Sequence, residues 1–141
     1  EEPGVPHITA DVVCDANGRR VTFTQRRFSL PAGATHRGGP WAIPVCVRYP
    51  DGASTSVGCT VVSDATGELS LSPGACPAWI MPNADARGYY RWSLPPARLS
   101  SLISRGWSSL TPAERLNAAQ VFETYVYASV RPIDAYDPPG N

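Results

Sequence analysis

The sequence predicts a mainly β protein: an antiparallel β-sandwich of six or seven short strands, followed by two α-helices. Three observations predict it. Runs of β-branched and aromatic residues recur through residues 1–94, cut at short intervals by Gly, Pro, Asn and Asp. Trp41, Ile43, Val45, Val47 and Tyr49 alternate onto one face, the period of a sheet with one buried side. After Pro95-Pro96 the apolar spacing becomes helical.

Taken in order, residues 7–14 read as a strand, and Asp15-Ala16-Asn17-Gly18 as a turn carrying the Asn-Gly signal. Arg20 to Phe28 is a second strand, with Val21 and Phe23 on one face and Thr22 and Thr24 on the other, so the first two strands form a hairpin. Residues 29–40 hold Pro31, Gly33, Gly38, Gly39 and Pro40 and read as a loop. Trp41 to Tyr49 follows. Pro44 inside it lacks an N–H and marks an edge position or a bulge. Thr55 to Val62, Gly67 to Leu71, Trp79 to Met81 and Tyr89 to Leu94 complete the strands, with a polar turn over Asn83 to Gly88. Pro96 suits the first position of a helix in which Leu99, Leu102 and Ile103 recur up to Gly106, a C-cap. Thr111-Pro112-Ala113-Glu114 is a capping box with Pro at the first helical position. The stripe Ala118, Val121, Phe122, Tyr125, Val126 then predicts a helix that ends near Ala128–Arg131, before Pro132. The helices either pack on the sandwich or begin a helical domain. The organisation expected is a sandwich over 1–94 and a helical segment over 95–141.

The chain has 141 residues, room for one domain and a part. All 12 basic residues are arginines, balanced by 12 acids, so there is no electrostatic footprint for nucleic acid or an anionic membrane. No apolar run is long enough to span a membrane. Glu1-Glu2-Pro3-Gly4 and Asp137-Pro138-Pro139-Gly140-Asn141 read as cuts in a longer polypeptide or as processed termini.

The four cysteines are Cys14, Cys46, Cys59 and Cys76. Wide spacing and the absence of a C-x-x-C pair favour two disulfides in an oxidising compartment over four buried thiols. Three pairings are open. A two-residue Asp51-Gly52 turn sets Cys46 opposite Val57, whereas a four-residue Asp51–Ser54 loop sets it opposite Cys59, and the dipeptide favours the first.

Motifs for chemistry are missing. His7 and His36 lie far apart, without acidic or His neighbours at ligand spacing, and read as solvated surface residues. There is no H-E-x-x-H, no G-x-S-x-G, no phosphate loop, no cysteine at a helix start and no acid pair that stands out. The doublets Arg19-Arg20 and Arg26-Arg27 read as strand arginines paired with acids rather than as a polyanion patch. Trp41, Trp79, Tyr89, Tyr90 and Trp92 read as core rather than as a carbohydrate or peptide platform.

Several segments together resemble the zinc aminopeptidases of the aminopeptidase N type, a gluzincin metallopeptidase family of hydrolases. Thr24-Gln25-Arg26-Arg27-Phe28, then Trp41-Ala42-Ile43-Pro44-Val45, resemble its TQ-x-RF and W-x-IP pair. Trp79-Ile80-Met81-Pro82-Asn83 and Gly88-Tyr89-Tyr90-Arg91 resemble its W-x-x-x-N and GYYR segment, and Leu99, Leu102 and Leu110 to Arg115 the opening of its helical domain. The likeness runs over about residues 6–130 in the same order. It implies the family's immunoglobulin-like β-sandwich domain, between the catalytic and helical domains. Gln25, Arg27, Phe28, Trp41, Pro44, Trp79, Asn83, Gly88, Tyr89, Tyr90 and Arg91 are then structural signature residues. The family's zinc ligands, general base, amine-binding motif and catalytic Tyr match no stretch here, so no catalytic residue carries over. No cofactor is expected in this chain, and zinc is expected in the catalytic domain of the parent. The cysteines and the 31–40 loop depart from the family and suggest an extracytoplasmic or secreted bacterial member.

The reading is therefore a non-catalytic domain fragment that braces the catalytic and helical domains, with neighbouring domains of the same polypeptide as its partners. The alternative of another class is a self-standing secreted binding module whose aromatic strand faces engage glycan or peptide. A small enzyme built on a cysteine or an acid pair is a third.

Overall fold

A computed structural model of the protein describes residues 5–27 and 42–136, with side chains over 5–26 and 42–128. Strands β1 (Pro6–Asp15) and β2 (Gly18–Arg27) form the predicted hairpin, in register from Pro6↔Arg27 to Asp15↔Gly18. Ile8, Ala10 and Val12 alternate inward on β1, and Val21 and Phe23 on β2. The turn closes because Asp15 Oδ1 accepts the Asn17 N–H at 2.9 Å while Gly18 takes φ 109°, a value open to glycine.

β3 (Ile43–Asp51) and β4 (Ser54–Val62) pair antiparallel as a second sheet. The tight turn is Gly52-Ala53, not Asp51-Gly52, so Cys46 stands opposite Cys59 rather than Val57. The physical reason is the glycine's place. Gly52 has φ 66° and Ala53 is not in the left-handed region, the arrangement of a type II′ turn, which asks for Gly first. An Asp51-Gly52 turn of type I′ would require positive φ at Asp51 as well.

β5 (Thr66–Ser70) pairs with β2, and β6 (Arg91–Ser93) with β1, giving the order β5-β2-β1-β6. The described residues thus form six strands in two sheets. One pairing departs from the antiparallel expectation: β6 runs parallel to β1, because the 71–90 connection crosses over before β6 begins. Trp79–Met81 is not a strand. Only Met81 bridges, exchanging both backbone hydrogen bonds with Arg48 at 2.8 and 2.9 Å. Trp79, Ile80 and Met81 are all buried, which a strand with one open face does not allow.

The first helix, α1 (Pro96–Ser101), continues into a wider π turn at Leu102–Gly106 and a 3-10 turn at Trp107–Ser109. Gly106 is not the left-handed C-cap predicted, since its φ is −100°. Its reason is space: a Cβ there would lie 2.6 Å from the Trp79 indole. Helix α2 spans Pro112–Tyr136 and runs past Pro132 instead of ending before it. Pro132 has no N–H for the Ala128 carbonyl, so the helix runs on across a missing backbone bond. Leu99, Leu102, Leu110 and Ala118 join the same buried cluster as Ile8, Phe23, Val45 and Val47, so the helices share the core of the sheets. Among the described residues no helix is long and apolar enough to cross a membrane.

Candidate functional site

Among the described residues, the most buried charged side chain lies where α2 begins. Thr111 and Glu114 form the reciprocal cap the sequence predicts: Glu114 N–H donates to Thr111 Oγ1 at 3.2 Å, and Thr111 N–H to Glu114 Oε1 at 2.9 Å. The carboxylate does more than cap. It is wholly buried, and Arg48 Nε, 66 residues away in sequence, donates to Oε1 at 3.1 Å and to Oε2 at 2.8 Å. The Asp85 N–H donates to Oε2 at 2.7 Å. Arg48 also donates from Nη1 to Thr55 Oγ1 at 3.2 Å, and its Nη2 lies 3.6 Å from Asp85 Oδ1. One carboxylate therefore gathers β3, the Ala84–Ala86 turn and α2. A charge taken out of water needs such partners on every side.

The turn that supplies Asp85 is held in an unusual shape. Asp85 and Ala86 have φ 58° and 54°, left-handed values that non-glycine residues seldom adopt. Asn83 fixes the ends: its Oδ1 accepts the Gly88 N–H at 2.8 Å, and its Nδ2 donates to the Gly88 carbonyl at 3.2 Å. Tyr90 OH donates to the Pro82 carbonyl at 2.7 Å, and a backbone hydrogen bond from Cys46 also reaches the phenol. Burial pushes the Tyr90 phenol well above its ordinary range. Gly88 is required beside it, because a Cβ would meet the Tyr90 ring at 2.2 Å. Further along α2, Asn117 Oδ1 accepts from Trp92 Nε1 at 2.8 Å, which ties the second turn of α2 to β6.

The other residues singled out from sequence fall in several places. Gln25 is buried and donates from Nε2 to the Val62 and Asp64 carbonyls at 3.2 and 3.1 Å, which ties β2 to the β4–β5 connection. Pro44 is exposed on β3, opposite Val61. Tyr89 is exposed rather than part of the core, because β6 begins only at Arg91 and Tyr89 lies before it, and Arg91 is exposed as well. Arg27 is in β2, opposite Pro6. Phe28, Trp41, His36, the 29–40 loop and both chain ends lie outside the described residues. The cysteines pair as Cys14–Cys76 and Cys46–Cys59. Arg20 pairs with Asp15 and Glu68 at 3.1 and 3.0 Å, but Arg19 turns inward and donates mainly to backbone carbonyls.

Chemistry finds little here. Among the described residues no three His, Cys, Asp or Glu side chains come together, so these residues do not fit a zinc ion. His7 is not a solvated histidine, because β6 packs beside it. It is half-buried, and its Nε2 lies 3.0 Å from Ser93 Oγ, the spacing of a nucleophile and its base. Its charged neighbours are the wrong sign for that role. Burial, then Arg26 and Arg91, hold the imidazole below its ordinary pKa, where a base of this kind needs a carboxylate to steady the imidazolium. Trp79 and Trp92 are 5% and 3% exposed, so an open aromatic platform cannot be built on them.

Sequence reasoning assigned Glu114 to the cap and missed its second role, and it missed Arg48 and Asp85 altogether. A capping-box Glu is ordinarily solvated, and nothing local marks this one as buried.

No family model matches the chain. Over 103 residues, 73% of this chain, the sequence is 22% identical to the puromycin-sensitive aminopeptidase of Caenorhabditis elegans. The chain spans 11% of that protein's length.

Proposed function

We propose that this chain is a non-catalytic piece of a larger zinc-dependent aminopeptidase of the aminopeptidase N type, and that it braces the domains on either side. In this reading residues 1–94 are the sandwich domain and residues 95–141 open the helical domain. The partners are neighbouring domains of the same polypeptide. Zinc and the residues that hold it belong to the catalytic domain, outside this chain. The two disulfides favour an extracytoplasmic polypeptide.

The observation that carries the reading is the buried Glu114 carboxylate. It fixes the first turn of α2 to β3 and to the 84–86 turn, so the helix leaves the sandwich at a set angle. A hinge is ordinarily a few loop residues able to change φ and ψ. Here the connection is packed and hydrogen-bonded instead, as a spacer between domains requires. The aminopeptidase likeness supports the parent activity, and the lack of any H-E-x-x-H supports a non-catalytic role.

The test is an assay of the purified chain with added zinc and an aminoacyl reporter. The reading predicts no saturable cleavage. Saturable, zinc-dependent release of the reporter group would overturn it.

A further inference from the structure

The two disulfides differ in a way that gives one of them a chemistry. Arg48 spends its N–H and its C=O on Met81, away from β4. Backbone groups on a strand point the same way at every second residue, so those of Cys46 and Pro44 also turn away from β4. This explains how Pro44 sits in the ladder without its N–H. It also makes Cys46↔Cys59 a non-hydrogen-bonded pair of the β3–β4 ladder. Such a pair ordinarily has its Cα atoms about 4.5 Å apart, and disulfides ordinarily span about 4.4–6.8 Å. Here the Cα atoms are 4.0 Å apart, closer than either preference, while Cys14 and Cys76 sit at a relaxed 5.9 Å.

Access does not separate the two bridges, since Cys14, Cys59 and Cys76 are all exposed and Cys46 is half-buried. What separates them is the backbone spacing and what each bridge holds. Cys14–Cys76 ties chain segments 62 residues apart, whereas Cys46–Cys59 staples the outer face of a hairpin already registered by the Gly52-Ala53 turn and by the buried Val45 and Val47 beneath it. The hairpin register therefore has supports besides the Cys46–Cys59 bridge.

We infer that Cys46–Cys59 is a thiol–disulfide exchange site that takes a dithiol reductant as its substrate. A thiolate of the dithiol attacks the exposed Cys59 Sγ. The new S–S bond forms as the Cys46–Cys59 bond breaks, and the Cys46 thiolate leaves and takes up a proton. The second thiol of the reductant then attacks its own sulfur in the mixed disulfide and releases Cys59. The dithiol is oxidised to a disulfide, and the protein disulfide is reduced by the same two electrons. This inference is independent of the aminopeptidase reading.

The experiment uses the whole folded chain with dithiothreitol in native buffer. Free thiols are trapped at intervals with a light alkylating reagent, and the remaining ones are labelled heavy after full reduction. Peptide mass spectrometry then reads each cysteine. Cys46 and Cys59 should become labelled at least about tenfold faster than Cys14 and Cys76, with the near-ultraviolet circular dichroism retained. Equal rates, earlier opening of Cys14–Cys76, or loss of the dichroism in step with Cys46 and Cys59 would each overturn the inference. In the Cys46→Ala/Cys59→Ala double variant the fast phase should vanish while Cys14–Cys76 opens at its slow rate.

Discussion

Arg19 of β2 and Arg48 of β3 are both arginines drawn out of solvent, but each is satisfied differently. Arg19 is received mainly by neutral groups: its Nε donates to the Ser72 carbonyl and its Nη1 to the Ala75 carbonyl at 2.6 Å. Its ring neighbour is Tyr49, 5.4 Å below the guanidinium, and its acid, Asp51 at 3.3 Å, is a third exposed. Arg48 instead meets a carboxylate with no exposure at all. The first arrangement pins the loop after β5 to the sandwich, within one part of the molecule. The second crosses from the sandwich to α2. A carbonyl cradle leaves no orphaned charge when the arginine is lost, whereas a buried ion pair does, and the two sites should therefore break differently.

The largest effect is expected at the ion pair. Glu114→Ala leaves the Arg48 guanidinium with only Thr55 and the more distant Asp85 carboxylate, frees the Thr111 and Asp85 N–H groups, and should cost about 3–5 kcal/mol in urea unfolding. A loss below about 1 kcal/mol would mean that water already reaches the pair. Arg19→Met should cost about 1–3 kcal/mol, the penalty of carbonyls left without donors. Its damage should appear in proteolysis confined to residues 72–76, and an effect as large as that of Glu114→Ala would erase the contrast between the two sites.

Gly106→Ala probes the turn after α1 without touching charge. Its φ of −100° suits alanine, so only the clash with Trp79 acts, and a loss of about 1–3 kcal/mol is expected. The smallest effect is the pH dependence at His7. Its folded pKa lies below the ordinary 6.5, so the unfolded chain takes up the proton first as pH falls. Stability contributed by neutral His7 is present above 6.5 and is lost as pH drops below it. Between pH of about 7 and about 5 the wild type should lose more thermal stability than His7→Gln, and equal losses would refute the assignment.

Much of this was legible in the sequence where the signal is local. The β1–β2 hairpin follows from alternation and the Asp15-Ala16-Asn17-Gly18 turn, and the start of α2 from the box Thr111 to Glu114. The mainly β class followed from strand punctuation. What escaped depended on distant partners. Trp79–Met81 reads as a strand because β propensity does not report that all three side chains are buried. Gly106 reads as a cap because the sequence does not show Trp79 against it. The turn at Gly52-Ala53 turned on which glycine position the backbone preferred, a choice of one residue that moved Cys46 from Val57 to Cys59. The site itself was half visible: Glu114 was found as a cap, but its burial needs Arg48, an arginine at an ordinary outward position of a strand.

Native-state amide hydrogen exchange tests the bracing account most directly. If the Glu114 joint makes the start of α2 one unit with the sandwich, the amides of residues 115–118 should open with the same free energy as those of Val21 and Phe23 in the β1–β2 core. In Glu114→Ala they should open separately and earlier. Exchange of residues 115–118 at much lower free energy than the core in the wild-type chain would contradict the account, because the helix would then leave the sandwich unbraced.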